Sequence, residues 1–236
     1  TITMDSSISE TAEFGVVMVV ITFNANGISI SSIPSNTMLV LQYGGNSYRI
    51  QYSQMPYTIH VPYGTSISYA YQSPVSYSSS ARYVWVSTNG LTSLQSGSLT
   101  ATQNGSVTAN YQLQFLLTMQ TNPSSAGSTS PAVGSYWENA GTQVSISATA
   151  NSGYAFLGWS GSGSGSYSGT NNPATITMNA PITETANFNV GLRFAVTGMN
   201  SSAVGTVLTL KSGGSTTSYT YSGPPATVYL PPGSGI

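Results

Sequence analysis

Cysteine is absent, histidine occurs once, and charged residues make up only 4% of the 236-residue chain. Each shortage excludes something. Without cysteine there are no disulfide staples and no thiolate ligands, so each module must stand on its own core. With His60 as the sole imidazole, no zinc site can be assembled within one chain. Four basic residues cannot build the basic face that nucleic acid requires. The five acids, Asp5, Glu10, Glu13, Glu138 and Glu184, form no EF-hand pattern. Only Glu138 stands apart from the repeated segments described below, so a convergent catalytic pair is not expected. No apolar run approaches the roughly 20 residues of a membrane-spanning helix. The longest, Gly15 to Ile21, is β-branched and reads as a strand buried on both faces. The opening Thr1-Ile2-Thr3-Met4 lacks a basic stretch, so a secretion signal, if one is used, lies outside these residues.

What fills the chain is neutral. Serine and threonine together make up roughly 30% of it, there are 16 tyrosines, and 39% of residues are hydrophobic, against the ordinary quarter of charged residues. Helix formers are scarce, while Val, Ile, Thr, Tyr and Trp abound. The expected fold class is all-β, built from tandem small β-sandwich and β-repeat modules with little or no helix. Hydroxyl and amide side chains stay neutral from strong acid to pH ~9, so a surface made of them keeps its charge pattern when carboxylates protonate near pH ~4. Acid unfolding then has little to act on. The composition suits a strongly acidic exterior, and also a Ser/Thr-rich cell surface at ordinary pH.

Internal repeats organise the sequence. Residues 1–14, TITMDSSISETAEF, align with residues 175–188, TITMNAPITETANF, without a gap. Ile21-Thr22-Phe23 parallels Leu192-Arg193-Phe194, and Leu39-Val40-Leu41 with Gly44-Gly45 parallels Leu208-Thr209-Leu210 with Gly213-Gly214. Pro56, Thr58, Pro62, Gly64 and Ile67 parallel Pro225, Thr227, Pro231, Gly233 and Ile236 at an offset of 169. The expected organisation is an end segment 1–14, a β-sandwich module 15–112, a second β module 113–188, and an incomplete copy of the first module at 189–236. The chain is then a slice of a longer tandem array, a subunit completed by a neighbour through strand addition, or a repeat that tolerates the loss. Val16, Val17, Met18, Val19, Val20 and Ile21 form the candidate strand for such exchange.

Within 15–112 short alternating runs are split by turn signals. Met38–Leu41 should meet Tyr48–Ile50 across Gly44-Gly45-Asn46. Gln103-Asn104-Gly105-Ser106 reads as a second hairpin tip, because Asn-Gly flanked by alternation is a strong hairpin cue. About seven strands suit a two-sheet sandwich. The run Tyr111 to Met119 is expected to pass into the next module with no flexible linker.

The second module contains Gly153-Tyr154-Ala155-Phe156-Leu157-Gly158-Trp159-Ser160-Gly161, preceded by Gly141-Thr142-Gln143-Val144 and followed by Ala186-Asn187-Phe188. Over residues 113–188 this resembles a divergent internalin-B-type B-repeat. The resemblance implies a small β-rich extracellular spacer or adhesion module with no catalytic residues. Ser160–Thr170 is longer than such repeats lead one to expect and reads as a mobile Gly/Ser loop. In composition the whole chain is similar to secreted surface and thread-filament proteins of thermoacidophilic archaea. That likeness implies a donor-strand polymer.

No catalytic, cofactor-binding or metal site is expected, and no cofactor. A Ser–His–acid triad at His60 lacks a nucleophile-elbow motif. His60, in Thr58-Ile59-His60-Val61 with Tyr229 as its counterpart, reads as a partly buried strand residue. Trp159 reads as core, as do Trp85 and Trp137, and the tyrosines as strand-surface residues with wet hydroxyls. Two N-glycosylation acceptors fit the sequon, Asn104 and Asn200. The expected protein is a non-enzymatic, extracellular structural component forming a filament, stalk or envelope element. Its partners would be copies of itself, further modules of the same parent chain, and N-glycans. The alternative is a carbohydrate- or surface-binding adhesin module.

Overall fold

The computed structural model describes residues 15–29, 35–194, 205–212, 215–220 and 226–230. The fold is all-β: the helical element among the described residues is a single 3-10 turn, Tyr52–Gln54. Two compact units divide at Leu113/Gln114. The segments 1–14 and 195–200, with Asn200, lie outside the described residues.

The first unit contains β1 (Met18–Asn26), β2 (Thr37–Tyr43), β3 (Asn46–Gln51), β4 (Tyr57–Pro62), β5 (Ser66–Tyr71), β6 (Val75–Ser76), β7 (Ala81–Gly90), β8 (Ser96–Thr100) and the start of β9 (Gly105–Asn122). One sheet is ordered β3-β2-β5-β8; facing it, β1 lies between β4 and β9, with β7 and β6 beyond β9. The core between them is made by alternation: Leu39 and Leu41 from β2, Ile67, Tyr69 and Tyr71 from β5, Val19, Ile21 and Phe23 from β1, and Val107 and Ala109 from β9 are all buried. The sandwich was legible in advance, and so was its β2–β3 hairpin. Gly44 and Gly45 have φ of 58° and 79°, the pair of positive values that a two-residue type I′ turn demands.

Two expectations fail here. β1 is not buried on both faces. Val16, Val17 and Met18 are exposed, Val20 is half-buried, and only Val19 and Ile21 of the candidate exchange strand reach the core. The alternation of an ordinary sandwich strand is hidden in the sequence because its outward positions carry valine instead of a polar residue. The strand is also occupied on both sides: antiparallel to β4 (Ile21↔Ile59) and parallel to β9 (Ile21↔Gly105). The second failure is the Asn104 hairpin. β8 pairs with β5 while β9 pairs with β1, so the Asn-Gly segment crosses between sheets. Gly105 allows close packing there: an added Cβ would stand 2.8 Å from the Leu91 side chain, which would have to shift.

Tyrosine is used differently from expectation. The Tyr71 hydroxyl reaches the Val107 carbonyl at 2.7 Å and that of Asn24 at 2.9 Å, and Tyr111 donates to the Gln72 carbonyl at 2.7 Å. These hydroxyls are dry partners of backbone carbonyls, which is what permits their burial. Burial pushes both phenols well above the ordinary tyrosine range.

The second unit contains the remainder of β9 and β10 (Gly127–Ser130), β11 (Gly134–Asn139), β12 (Gln143–Ala150), β13 (Tyr154–Ser162), β14 (Ala174–Thr177), β15 (Ile182–Phe194), β16 (Thr206–Ser212), β17 (Ser215–Thr220) and β18 (Ala226–Leu230). β15 runs between β13, antiparallel, and β9, parallel (Ile182↔Leu117), and β11 pairs with β9. A small sheet, β10-β12-β14, closes the core on Leu117, Met119, Ile146, Trp159, Ile176, Ile182 and Phe188.

The remaining strands repeat the first unit's pairing code. Ile21↔Ile59, Thr22↔Thr58 and Phe23↔Tyr57 of β1–β4 recur as Leu192↔Val228, Arg193↔Thr227 and Phe194↔Ala226 of β15–β18. The β2–β3 register, from Leu39↔Ile50 to Tyr43↔Asn46, recurs as Leu208↔Tyr219 to Ser212↔Ser215. Even the irregularity between Thr37 and Leu39 recurs between Thr206 and Leu208. The β16–β17 hairpin thus reuses the framework, and among the described residues β16 pairs with β17 alone, where β2 has β3 and β5.

Candidate functional site

Three places carry more chemistry than the scaffold needs. The first is the tryptophan motif of the second unit. Trp159 is 3% exposed and contacts Phe156 edge-on at 5.7 Å between centroids, so it is a core residue and offers no platform. Register shifts between Phe156 and Gly158, which turns Leu157 outward. The Gly/Ser stretch that follows is not a mobile loop. Trp159 and Gly169 exchange backbone hydrogen bonds at 2.7 and 3.2 Å, Gly161 N–H donates to Ser168 Oγ at 3.1 Å, and Thr177 N–H donates to the Gly165 carbonyl at 2.9 Å. Its glycines serve contact: a Cβ on Gly163 would strike the Pro181 carbonyl oxygen, and one on Gly165 that of Thr177.

Under this segment lies Glu184, with no exposed surface. Oε1 accepts the Tyr167 N–H at 2.7 Å, while Oε2 is buried without a partner, as is Trp159 Nε1. Burial raises the carboxyl above its ordinary range, opposed by the Tyr167 hydrogen bond. The expectation that this acid belongs to the scaffold fits its position. Its burial could have been read from the alternation Ile182, Glu184, Ala186, Phe188, in which it occupies an inward place.

The second place is an open cleft of about 440 Å³ at the β2–β3 turn, lined by Gln42, Tyr43, Asn46, Ser47 and Ser66. Tyr43 stacks on Tyr48 at 4.8 Å between centroids. Burial first, then the neighbouring Tyr57 and Tyr48 phenols, push Tyr43 up to about 12. The equal registers put Ser212, Thr217 and Ala226 where Tyr43, Tyr48 and Tyr57 stand, so the second copy does not repeat these three tyrosines.

The third is Asn104. It is exposed, and its Oδ1 accepts the Val20 N–H at 2.8 Å, one step beyond the β1–β9 ladder. Committing Oδ1 inward turns Nδ2, the atom a glycan would take, away from that strand.

The remaining candidates do not converge. His60 is exposed on β4 opposite Val20, not partly buried, because the inward positions of β4 belong to Ile59 and Val61. Trp85 is half-buried and donates Nε1–H to Thr88 Oγ1 at 2.9 Å, and Trp137 is half-buried on β11. Among the described residues no three of His, Asp and Glu come together in metal-binding geometry, and no helix is long and apolar enough to cross a membrane.

Residues 117–191, about a third of the chain, match the family model of the divergent InlB B-repeat domain. The match takes in β13, the Trp159 motif and β15 as far as Gly191, and this domain family is typically found on the cell surface. No curated protein matches the chain significantly.

Proposed function

We propose that this chain is a non-catalytic, extracellular structural protein, a section of a surface stalk, filament or envelope layer made of alternating β modules. The observation that carries the reading is the recurrence of one pairing register in β1–β4 and β15–β18, and in β2–β3 and β16–β17, around a B-repeat. A mechanical part needs many backbone hydrogen bonds and few titrating groups, and the chain has both. Strand addition, by a following module or by a second copy, is the mode of assembly this reading expects. The neutral composition favours thermoacidophilic archaea as the source and a thread-like filament as the product. Electron microscopy of the purified chain tests the assembly: fibres with an axial repeat of one subunit are expected. A monomer at every concentration tried removes self-assembly and leaves the tandem spacer. Antibody labelling of intact producing cells tests the location, and label appearing only after lysis rejects it.

Glycosylation at Asn104 and Asn200 belongs to the same reading, since a glycan adds solubility that charge does not supply here. Intact mass of natively produced protein should exceed the sequence mass by one or two glycans; a bare mass rejects both sites. A second reading, an adhesin, is favoured by the Tyr43 cleft, whose neutral aromatic and amide lining suits a neutral saccharide. Binding on a neutral-glycan array that Tyr43→Ala abolishes would support it; no binding by the folded chain would remove it.

A further inference from the structure

Glu184 fits the scaffold by position, yet its surroundings are unusual for a carboxylate. It shares the inward face of β15 with Ile182, Ala186 and Phe188, all buried. Across the backbone its partners are Gly161 on β13 and Met119 on β9, and neither titrates. Trp159 stands one pair further along the same face of β13, opposite Ala186. The small sheet contributes Ile146 and Ile176 to the shared core, Met178 follows just after β14, and Tyr136 and Tyr154 border it. Tyr167 is the titratable side chain of the covering segment, and its hydroxyl accepts the Asn171 N–H at 3.1 Å. The cations of this unit are Arg193, exposed near the end of β15, and Lys211 on β16. Neither is among the influences on the carboxyl, which are burial and the Tyr167 N–H.

We propose that Glu184 works as an acid-set latch: protonated, it stays buried and lets the Ser160–Thr170 segment close over the Trp159 core, and ionised, it is drawn towards water and loosens that segment. The protonated group keeps its Oε1 acceptor for Tyr167 and leaves one neutral hydroxyl unpaired. The ionised group is the better acceptor for the Tyr167 N–H, but it leaves a buried charge at Oε2 with no protein donor, and that penalty is the larger one. Glycine at 161 is what lets the carboxyl sit there, since a Cβ would stand 2.6 Å from Oε1. A carboxyl raised above its unfolded value favours the fold below the ordinary carboxylate range, and that contribution is lost as pH climbs through the raised value. The latch therefore closes in acid, opposite in direction to common acid unfolding.

The test is carboxyl-carbon NMR of the full chain with labelled glutamate, alongside hydrogen exchange at the Tyr167 amide. Glu184 should titrate above the ordinary carboxylate range, and Tyr167 protection, corrected for intrinsic exchange, should fall at least about tenfold through the same transition. Glu184→Gln stays neutral and keeps an acceptor, so it should hold Tyr167 protected at both ends of the range with no step. Titration of Glu184 at or below the ordinary range overturns the proposal. So does protection that stays flat in the wild type, or a step that survives in Glu184→Gln. Should the variant not fold, the wild-type titration and exchange alone decide.

Discussion

At the scale of single residues, this protein replaces charge with buried polar groups whose partners are backbone. Tyr71 spans from one sheet of the first unit to the carbonyls of Val107 and Asn24 on the other. Tyr71→Phe removes the donor and leaves both carbonyls buried, so it should cost about 1–2 kcal/mol in urea unfolding. The glycines of the second unit sort by what surrounds them. Gly165, with φ of 92°, faces the Thr177 carbonyl, whereas Gly141, with φ of 83°, faces open space. Both alanine variants suffer the backbone penalty, and only Gly165→Ala adds a steric one. Gly165→Ala should lose about 2–4 kcal/mol and Gly141→Ala about 1 kcal/mol, read from the two unfolding midpoints. Equal losses would mean that close approach is not what these glycines provide.

At the scale of elements, the decisive pairings are those between distant stretches. β1 is held by β4 and by β9, and its inward residues alternate with exposed or half-buried ones. Val19→Ser should therefore cost about 2–3 kcal/mol and Val17→Ser less than about 0.5 kcal/mol, although both lie in the same apolar run. Thermal melts of the two variants check this. The β2–β3 hairpin was legible because its cue, two glycines between alternating strands, is local. The Trp159 core was legible because its motif is. The parallel β1–β9 pair was not, since nothing near Ile21 names Gly105 as a neighbour. The Asn-Gly cue at Asn104 misled for the same reason: a local signal cannot say which sheet the next strand joins. Composition misled at Ser160–Thr170 by suggesting slack where glycine and serine are used for contact. Glu184 was legible as scaffold from its repeat position. That it is buried without a cation needed the pairing with Gly161 to be seen.

At the scale of the whole molecule, few groups titrate, and among the described residues Glu184 is the carboxyl with a displaced pKa, in the direction that favours the fold in acid. Differential scanning calorimetry should show a melting temperature that falls by less than roughly 15 °C from pH 7 to pH 2.5. A larger fall would return the charge deficit to mere composition. The recurrence of register has a further consequence, for the folding route. Two hairpins and two edge pairs with one pairing code give each of these eight strands two acceptable mates along the same chain: β1 can seek β18 as well as β4, and β2 can seek β17 as well as β3. Such mismatches are intramolecular, so dilution does not suppress them. What tells the copies apart is their divergent side chains, Tyr43 against Ser212 and His60 against Tyr229. Variation between repeats then works as proofreading during folding, and homogenising the copies should slow refolding without lowering stability.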